Sequence, residues 1–305
     1  MYRQHFGLKE RPFSLTPDTQ FFFDNKNHRE VLNTMLLALR HSEGFIKIVG
    51  EVGTGKTLLC RKLLRGLGDN ILTAYIPNPY LTPDELKWFV AEEIGVEHNH
   101  DTPSYQLLRD IYNRLIELAR NKRQVVLVVD EAQAMPRETI EALRLLTNLE
   151  TEKRKLLQVV LIGQPELDEL LNRSDLRQLK QRIVFSEYLA SFDRASTERY
   201  LKHRLLRAGH SSGQLFSRSA VSLLYKASNG VPRLINIMAH KALLCTFGKG
   251  HVQVSRADMA KAVCDTDESC RLGKFLSDPY HWLWPIVGGL SAVIAVSVPH
   301  WLGVW

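Results

Sequence analysis

A glycine-rich loop at residues 50–57 constrains the fold of this chain more than any other feature. The loop reads GEVGTGKT, and it follows the apolar, β-rich stretch FIKIV at residues 45–49. The residues after it have helical spacing, with Leu59, Leu63 and Leu67 on one face. A strand, a glycine-rich turn and a helix are therefore expected in this order, and this order is the context in which such a loop binds phosphate.

The pattern G-x-x-x-x-G-K-[ST] places each residue type where phosphate chemistry requires it. Gly50 and Gly55 let the backbone curl, so that successive N–H groups point into one concavity. The start of the helix adds the positive end of its dipole, Lys56 reaches the terminal phosphates, and Thr57 offers its hydroxyl to Mg²⁺. The predicted contacts with a nucleotide are Gly50, Glu51, Val52, Gly53, Thr54, Gly55, Lys56, Thr57 and Leu58.

A second apolar run ends in two acidic residues. The stretch 125–129 is followed by Asp130 and Glu131, and an uninterrupted apolar run is typical of a central parallel strand. Ligands of such sheets bind beyond the carboxyl ends of the strands, so Asp130 is expected beside the glycine-rich loop. There it would hold Mg²⁺ through a water molecule, together with Thr57. Glu131 would orient or activate the attacking water.

The pattern of elements divides the chain into segments. Strands alternate with helices up to about residue 190, which predicts a parallel α/β sheet, and only helices follow. The predicted segments are an aromatic amino-terminal segment (1–27), an α/β nucleotide-binding domain (28–190), a helical lid domain (191–268), a linker (269–281) and a transmembrane helix (282–301).

The transmembrane helix is predicted from the composition of the carboxyl end. Residues 279–305 contain no Asp, Glu, Lys or Arg, and tryptophans stand near both ends of the apolar stretch. A single span needs about 20 apolar residues, and tryptophans favour the membrane interfaces. Arg271 and Lys274 precede the span, so the positive-inside rule places the amino-terminal side in the cytoplasm. A buried amphipathic tail is the alternative.

The overall composition narrows the class of protein without choosing a partner. The chain has 305 residues, of which 45% are hydrophobic and 24% charged, which is ordinary for a globular protein. The formal net charge of +7 is compatible with nucleic acid, anionic lipid or nucleotide. The four cysteines show no zinc spacing and no C-x-x-C pair, so we expect reduced cysteines in a cytosolic main body.

Taken together, the motifs resemble those of AAA+ ATPases. They are GEVGTGKT, VVLVVDEAQ, VVLIGQPEL, LRQLKQRI and NGVPRLIN. With the opening FGLKERPFSLTPD, the set resembles the general secretion pathway protein A family, also called ExeA or GspA, over roughly residues 2–270. With little sequence after its predicted membrane span, the chain resembles family members of the mannose-sensitive haemagglutinin (MSHA) pilus system. The resemblance implies an AAA+ P-loop NTPase with a parallel-sheet α/β core, a carboxyl-terminal all-α lid and the single transmembrane helix.

The resemblance also implies roles for further residues. Gln164 matches the sensor 1 position, and Arg233 in GVPR matches sensor 2, which reaches the γ-phosphate. Arg177 and Arg182 are candidates for the arginine finger of a neighbouring subunit, which would make hydrolysis depend on assembly. The residues expected to act in catalysis are Lys56, Glu131, Gln164, Arg177, Arg182 and Arg233.

The implied function is that of an ATPase that uses Mg²⁺ and drives or gates assembly of a type IV pilus or a type II secretion complex. The implied partners are further copies of the chain in an ATP-dependent homo-oligomer, assembly proteins of the bacterial inner membrane, and the lipid bilayer. The ATPase domain would be cytoplasmic, and nucleic acid is not an expected partner.

Two alternatives stay open. One is a soluble DNA-binding ATPase similar to the transposition regulator TniB, which needs no apolar tail. The other is a nucleotide-gated scaffold with negligible turnover.

Overall fold

The chain folds into two compact units. The structure is a computed structural model that describes residues 2–41, 44–99, 101–151 and 154–266. One unit is Thr16–Ser191, and the described residues of the other are 2–15 and 192–266. The first unit contains every strand of the central sheet, and the second is helical.

The elements follow the alternation that the sequence predicts. The strands are β1 (Phe45–Val49), β2 (Ile71–Ile76), β3 (Gln124–Val129), β4 (Glu150–Thr151), β5 (Arg154–Lys155), β6 (Leu157–Gly163) and β7 (Ile183–Tyr188). The helices are α1 (Tyr2–His5), α2 (Lys26–Arg40), α3 (Lys56–Gly66), α4 (Pro83–Glu93), α5 (Ser104–Arg120), α6 (Arg137–Leu146), α7 (Glu166–Leu171), α8 (Arg177–Lys180), α9 (Arg194–Arg207), α10 (Arg218–Ser228), α11 (Pro232–Gly248) and α12 (Arg256–Cys264).

A five-stranded sheet forms the centre of the first unit. Its strand order is β2-β3-β6-β1-β7, and every neighbouring pair is parallel. Parallel strands all point the same way, so the carboxyl ends of β1, β3 and β6 meet at one edge of the sheet. We call this the carboxyl edge, and we call the edge where the strands begin the amino edge. The short strands β4 and β5 form a separate antiparallel pair.

Helices bury both faces of this sheet. Residues of α2 and α3 pack on one face against Ile46 and Ile48 of β1. Residues of α4, α5, α6 and α7 pack on the other face, where they meet Phe45 and Val49. Successive strand residues point to opposite faces, and both faces are covered. This double burial explains why β3 reads as an uninterrupted apolar run.

Local sequence signals set several helix ends. Thr82 and Glu85 form a capping box at the start of α4, and Ser255 caps α12 in the same way. Helix α6 ends at Leu146. The chain turns there into the β4–β5 pair, which the sequence pattern did not predict.

Most of the amino-terminal aromatic segment packs with the helical unit. The backbone N–H of Lys9 donates to the carbonyl oxygen of Ala208 at 2.8 Å. The ring of Tyr2 meets that of His240 edge-on, with the ring centres 5.7 Å apart. The predicted segment 1–27 is thus shared, because residues 16–27 belong to the α/β unit. The domain bounds 28–190 and 191–268 stay predictions.

The predicted transmembrane helix at 282–301 lies outside the described residues, as does the predicted linker at 269–281. None of the helices within residues 2–266 that the structure describes is long and apolar enough to span a bilayer.

Candidate functional site

The glycine-rich loop joins the carboxyl end of β1 to the start of α3. Gly55 precedes α3 with a φ of 103°, a conformation that glycine adopts at no steric cost. Gly50 is closely packed, because a Cβ there would lie 2.9 Å from the carbonyl oxygen of Leu189 and 3.0 Å from Thr54 Oγ1. A side chain at either position would therefore strain or displace the loop.

The remaining loop residues predicted to contact ATP surround this concavity. Glu51 and Val52 are exposed, and Gly53 has a φ of 81°. The buried side chain of Thr54 donates to the carbonyl oxygen of Glu51 at 2.8 Å. Leu58 is half-buried in the first turn of α3. The loop is thus closed by its own hydrogen bond, with its outer side exposed.

The side chain of Lys56 folds back into the loop. Its Nζ donates to the carbonyl oxygens of Gly50, at 2.8 Å, and Glu51, at 3.0 Å. Burial lowers the pKa of Lys56, against the effect of the nearby charges of Glu131 and Asp130. An ammonium that hydrogen-bonds to neutral carbonyls fits a phosphate ligand, because charged oxygens form stronger hydrogen bonds with it.

Asp130 lies at the carboxyl end of β3, beside this loop. Its carboxylate accepts from the backbone N–H of Glu131 at 3.0 Å and from the hydroxyl of Tyr75 at 3.3 Å. The hydroxyl of Thr57 also hydrogen-bonds to it. Burial raises the pKa of Asp130 despite these hydrogen bonds. A divalent cation fits here, because it would favour the ionised carboxylate. The two predicted Mg²⁺ residues, Thr57 and Asp130, are therefore in contact.

Two glutamines hold the side chain of Glu131. Its Oε2 accepts from Gln133 Nε2 at 2.6 Å and from Gln164 Nε2 at 3.0 Å. The Oε1 atom of Gln133 accepts in turn from the backbone N–H of Gln164 at 3.0 Å. Burial raises the pKa of Glu131, but these hydrogen bonds and the charge of Lys56 together hold it below its ordinary value. The carboxylate therefore stays ionised, as a base must be.

Sequence reasoning missed Gln133, Tyr75 and His28. His28 lies on α2, and its Nε2 donates to the carbonyl oxygen of Thr54 at 3.1 Å. Burial lowers the pKa of His28, so the ring is neutral with its proton on Nε2. Gln133 had a readable signal, because it follows Glu131 by two residues. Tyr75 and His28 come from other elements, and only the folded chain brings them here.

Arg177 and Arg182 form no hydrogen bond with this cluster in the part of the chain that the structure describes. Arg182 donates to the carbonyl oxygen of Arg144 at 3.5 Å and to Thr147 Oγ1 at 3.3 Å. Arg177 is exposed at the start of α8. Arg233 is exposed in the first turn of α11, in the helical unit. The roles predicted for these three residues stay predictions.

Comparison with known proteins identifies the relatives of this arrangement. The AAA domain family (AAA_22) matches residues 39–171, which include the loop, Asp130, Glu131 and Gln164. General secretion pathway protein A of Aeromonas hydrophila is 37% identical over 304 residues, or 99% of this chain and 54% of that protein. The chain belongs to the general secretion pathway protein A family. It spans about half the length of this curated relative.

Solved structures confirm the fold of this family member. The ORC2 protein of Aeropyrum pernix, in ADPNP and ADP complexes, has a TM-score of 0.56 and 17% identity, over 81% of this chain and 71% of that chain. Cdc6p of Pyrobaculum aerophilum has a TM-score of 0.60 and 18% identity, over 80% and 70%. The RuvB Holliday junction branch migration motor of Thermotoga maritima has a TM-score of 0.52 and 18% identity, over 85% and 74%. The predicted parallel-sheet α/β P-loop fold is confirmed.

Proposed function

We propose that this protein is an ATPase that binds and hydrolyses ATP with Mg²⁺ and couples the cycle to assembly of a secretion or pilus complex in the bacterial inner membrane. One observation carries the ATPase proposal. Lys56, the Thr57–Asp130 pair and the ionised Glu131 are gathered at the carboxyl edge, around a loop shaped for phosphate.

Each residue of the site has a task in this proposal. The loop N–H groups and Lys56 would bind the β- and γ-phosphates, and Thr57 and Asp130 would hold Mg²⁺, Asp130 through water. When bound, Mg²⁺ supplies positive charge that offsets the charge of the phosphates. Both glutamine hydrogen bonds end on Oε2 of Glu131, so Oε1 accepts from the attacking water. Gln164 fixes Glu131 and, as sensor 1, faces the γ-phosphate.

The direct test is phosphate release by the purified full chain, with Mg²⁺ and with the metal chelated. We expect hydrolysis only with Mg²⁺. A chain that binds ATP but releases no phosphate at any protein concentration would support the nucleotide-gated scaffold instead.

A neighbouring copy of the chain completes the site in this proposal. Of the two predicted finger residues, Arg177 fits the role better, because Arg182 donates to groups of its own unit. An arginine supplied by another subunit stabilises the transition state and makes turnover depend on assembly. Turnover per chain should therefore rise with protein concentration. Arg177→Ala should lose this rise, and the exposed control Arg109→Ala should keep it. Full activity of Arg177→Ala at every concentration would contradict the assignment.

Membrane anchoring and the assembly task rest on the family and on the apolar tail. We assign the protein to the inner membrane through residues 282–301, with the ATPase unit in the cytoplasm. Its partners are assembly proteins of a type II secretion complex or of an MSHA-like type IV pilus. The full chain should resist alkaline extraction from membranes, and a chain without residues 279–305 should be released. Extraction of both forms would contradict the anchor.

The DNA-binding alternative is less well supported. A protein named for the general secretion pathway matches 99% of this chain. The solved structures described above are at most 18% identical to this chain, and such likeness carries the fold alone.

A further inference from the structure

A second cavity lies at the amino edge of the sheet, away from the proposed ATP site. Its volume is about 390 Å³. Gln124, the first residue of β3, lines it, and Leu156, which precedes β6, lines it as well. Asp130 and Gln164 follow the same two strands at the carboxyl edge. At about 3.3 Å per residue, β3 places roughly 20 Å between the two sites.

The lining of this amino-edge cavity is strongly basic. Seven residues line it, and none of them is acidic. Four of the seven are cations, namely Arg40, Lys122, Arg123 and Lys155. Arg40 ends α2, Lys122 and Arg123 form the turn between α5 and β3, and Lys155 ends β5. Separate parts of the chain therefore converge to place positive charge around one space.

The turn after α5 holds its two cations in a fixed conformation. Lys122 has a φ of 58°, in the left-handed region where a helix end usually has glycine. The N–H of Lys122 donates to the carbonyl oxygen of Ala119 at 3.1 Å, and that of Arg123 donates to Leu118 at 2.9 Å. A lysine in this conformation costs free energy that glycine would not. This position therefore carries a charged side chain although the backbone conformation is strained for a lysine.

Lys155 lies across Gly44, the residue before β1. A Cβ at Gly44 would be 2.6 Å from Lys155 Nζ and 2.9 Å from its Cδ. The missing side chain at Gly44 thus gives the lysine the space that it occupies. Lys155 is half-buried, whereas the other three cations of the cavity are exposed.

The four cations have no counterion in the part of the chain that the structure describes. None of them forms an ion pair there, although eleven ion pairs occur elsewhere in the same part. Like charges around one cavity repel each other, and an anion with several charges removes that repulsion.

We propose that the amino-edge cavity binds an anion with at least two phosphate groups. Two guanidinium groups can each form paired hydrogen bonds with phosphate, and two ammonium groups add point charges. The volume is within the range of small-ligand sites, about 300–1,000 Å³. The phosphates belong either to a free phosphoanion or to the head group of an anionic phospholipid. The site is distinct from the ATP loop.

The test is calorimetric titration of the full chain with inorganic tripolyphosphate. All variants are made in the Lys56→Ala background, so that the glycine-rich loop does not take up the probe. We expect saturable binding that weakens with added salt. Replacing Lys122 and Arg123 by Gln should weaken it about tenfold or more. Arg40→Gln, on a different element, should weaken it as well.

The matched control removes the same charge elsewhere on the same unit. Lys26→Gln with Arg109→Gln changes two exposed cations outside the cavity, and it should leave the affinity unchanged. Circular dichroism and the melting temperature check that each variant folds. Equal affinity of the cavity variants and the unsubstituted background would overturn the proposal, as would an equal loss in the control.

Vesicle flotation distinguishes the two sources of phosphate. Full chains are mixed with phosphatidylcholine vesicles that contain either no anionic lipid or about 10 mol% cardiolipin, whose head group carries two phosphates. If the ligand is a lipid head group, the gain in flotation with cardiolipin should fall in the cavity variants and persist in the control. A gain that is the same in all variants, with the tripolyphosphate result as expected, identifies a free phosphoanion.

Discussion

The two edges of the central sheet differ in how their charged groups are satisfied. At the carboxyl edge, Lys56, Asp130 and Glu131 all have hydrogen-bond partners within the site. At the amino edge, the cations of the cavity lack ion-pair partners throughout the described ranges. The strands β3 and β6 reach both edges, so the difference lies in the side chains at their ends and not in the backbone.

This difference indicates that the groups of the carboxyl edge are positioned for a reaction, whereas the cations of the amino edge are available to bind an anion. Groups that act on a reacting atom must be fixed before the substrate arrives, because reorganising them during the reaction costs free energy. The glutamines around Glu131 provide such fixation. Cations without ion-pair partners around a cavity attract an anion, and their side chains become fixed when the ligand binds. Substitutions at the carboxyl edge should therefore change chemistry, and those at the amino edge should change only affinity for anions.

The largest effect on ATP binding should come from Lys56→Ala. The phosphates of ATP lose the one buried ammonium of the loop, and we expect ATP affinity to fall at least about a hundredfold. Calorimetry with ATP and Mg²⁺ measures this. Lys62→Ala is the control, since Lys62 is on the same helix but exposed. Equal ATP affinity in Lys56→Ala and the wild type would remove the loop from the site.

Glu131→Gln should separate binding from turnover. The neutral side chain no longer accepts the proton of the attacking water, so turnover should fall about 10²–10⁴-fold while ATP still binds. Phosphate release under saturating ATP measures the turnover. The control is Glu138→Gln, an exposed acid in the first turn of α6. Undiminished turnover in Glu131→Gln would mean that another group activates the water.

The parts of the site that could be predicted are those with local signals. The order strand, loop, helix around Lys56 and the position of Asp130 after β3 follow from short patterns, since each strand end and helix start is set by nearby residues. The capping boxes of α4 and α12 are equally local. Residues in one short stretch thus place one another without help from the rest of the chain.

The parts that could not be predicted depend on distant contacts. Tyr75 reaches Asp130 because β2 pairs with β3, and His28 reaches the loop because α2 packs beside it. Arg182 donates to Thr147, the residue directly after α6, so this hydrogen bond depends on where α6 ends. The turn at Lys122 carries no glycine, which removed the usual signal for a left-handed residue. No local pattern contains this information.

Gln133→Ala tests fixation at the carboxyl edge with a smaller effect. The lost hydrogen bond stabilised the ionised Glu131, so its pKa should rise and the acidic limb of the kcat profile should move to higher pH. At neutral pH we expect a decrease of about tenfold in kcat, with little change in KM for ATP. Gln133→Asn should restore part of the loss. The control is Gln4→Ala, an exposed glutamine of α1. A lower melting temperature with an unmoved pH profile would indicate a merely structural role for Gln133.

The smallest effect should come from Gly44→Ala, which tests whether the two edges act separately. The new Cβ would lie 2.6 Å from Lys155 Nζ, so this side chain has to move. A flexible lysine moves at low cost, and we expect the free energy of unfolding to change by no more than about 0.5 kcal/mol. Tripolyphosphate affinity should fall a few-fold, while ATP turnover stays unchanged because Gly44 is at the opposite end of β1 from the loop.

Gly66→Ala is the control, since no atom lies within 4 Å of a Cβ there. A loss of turnover as large as that of Gln133→Ala would show that β1 couples the two edges, and unchanged affinity for tripolyphosphate would remove Lys155 from the cavity's binding group.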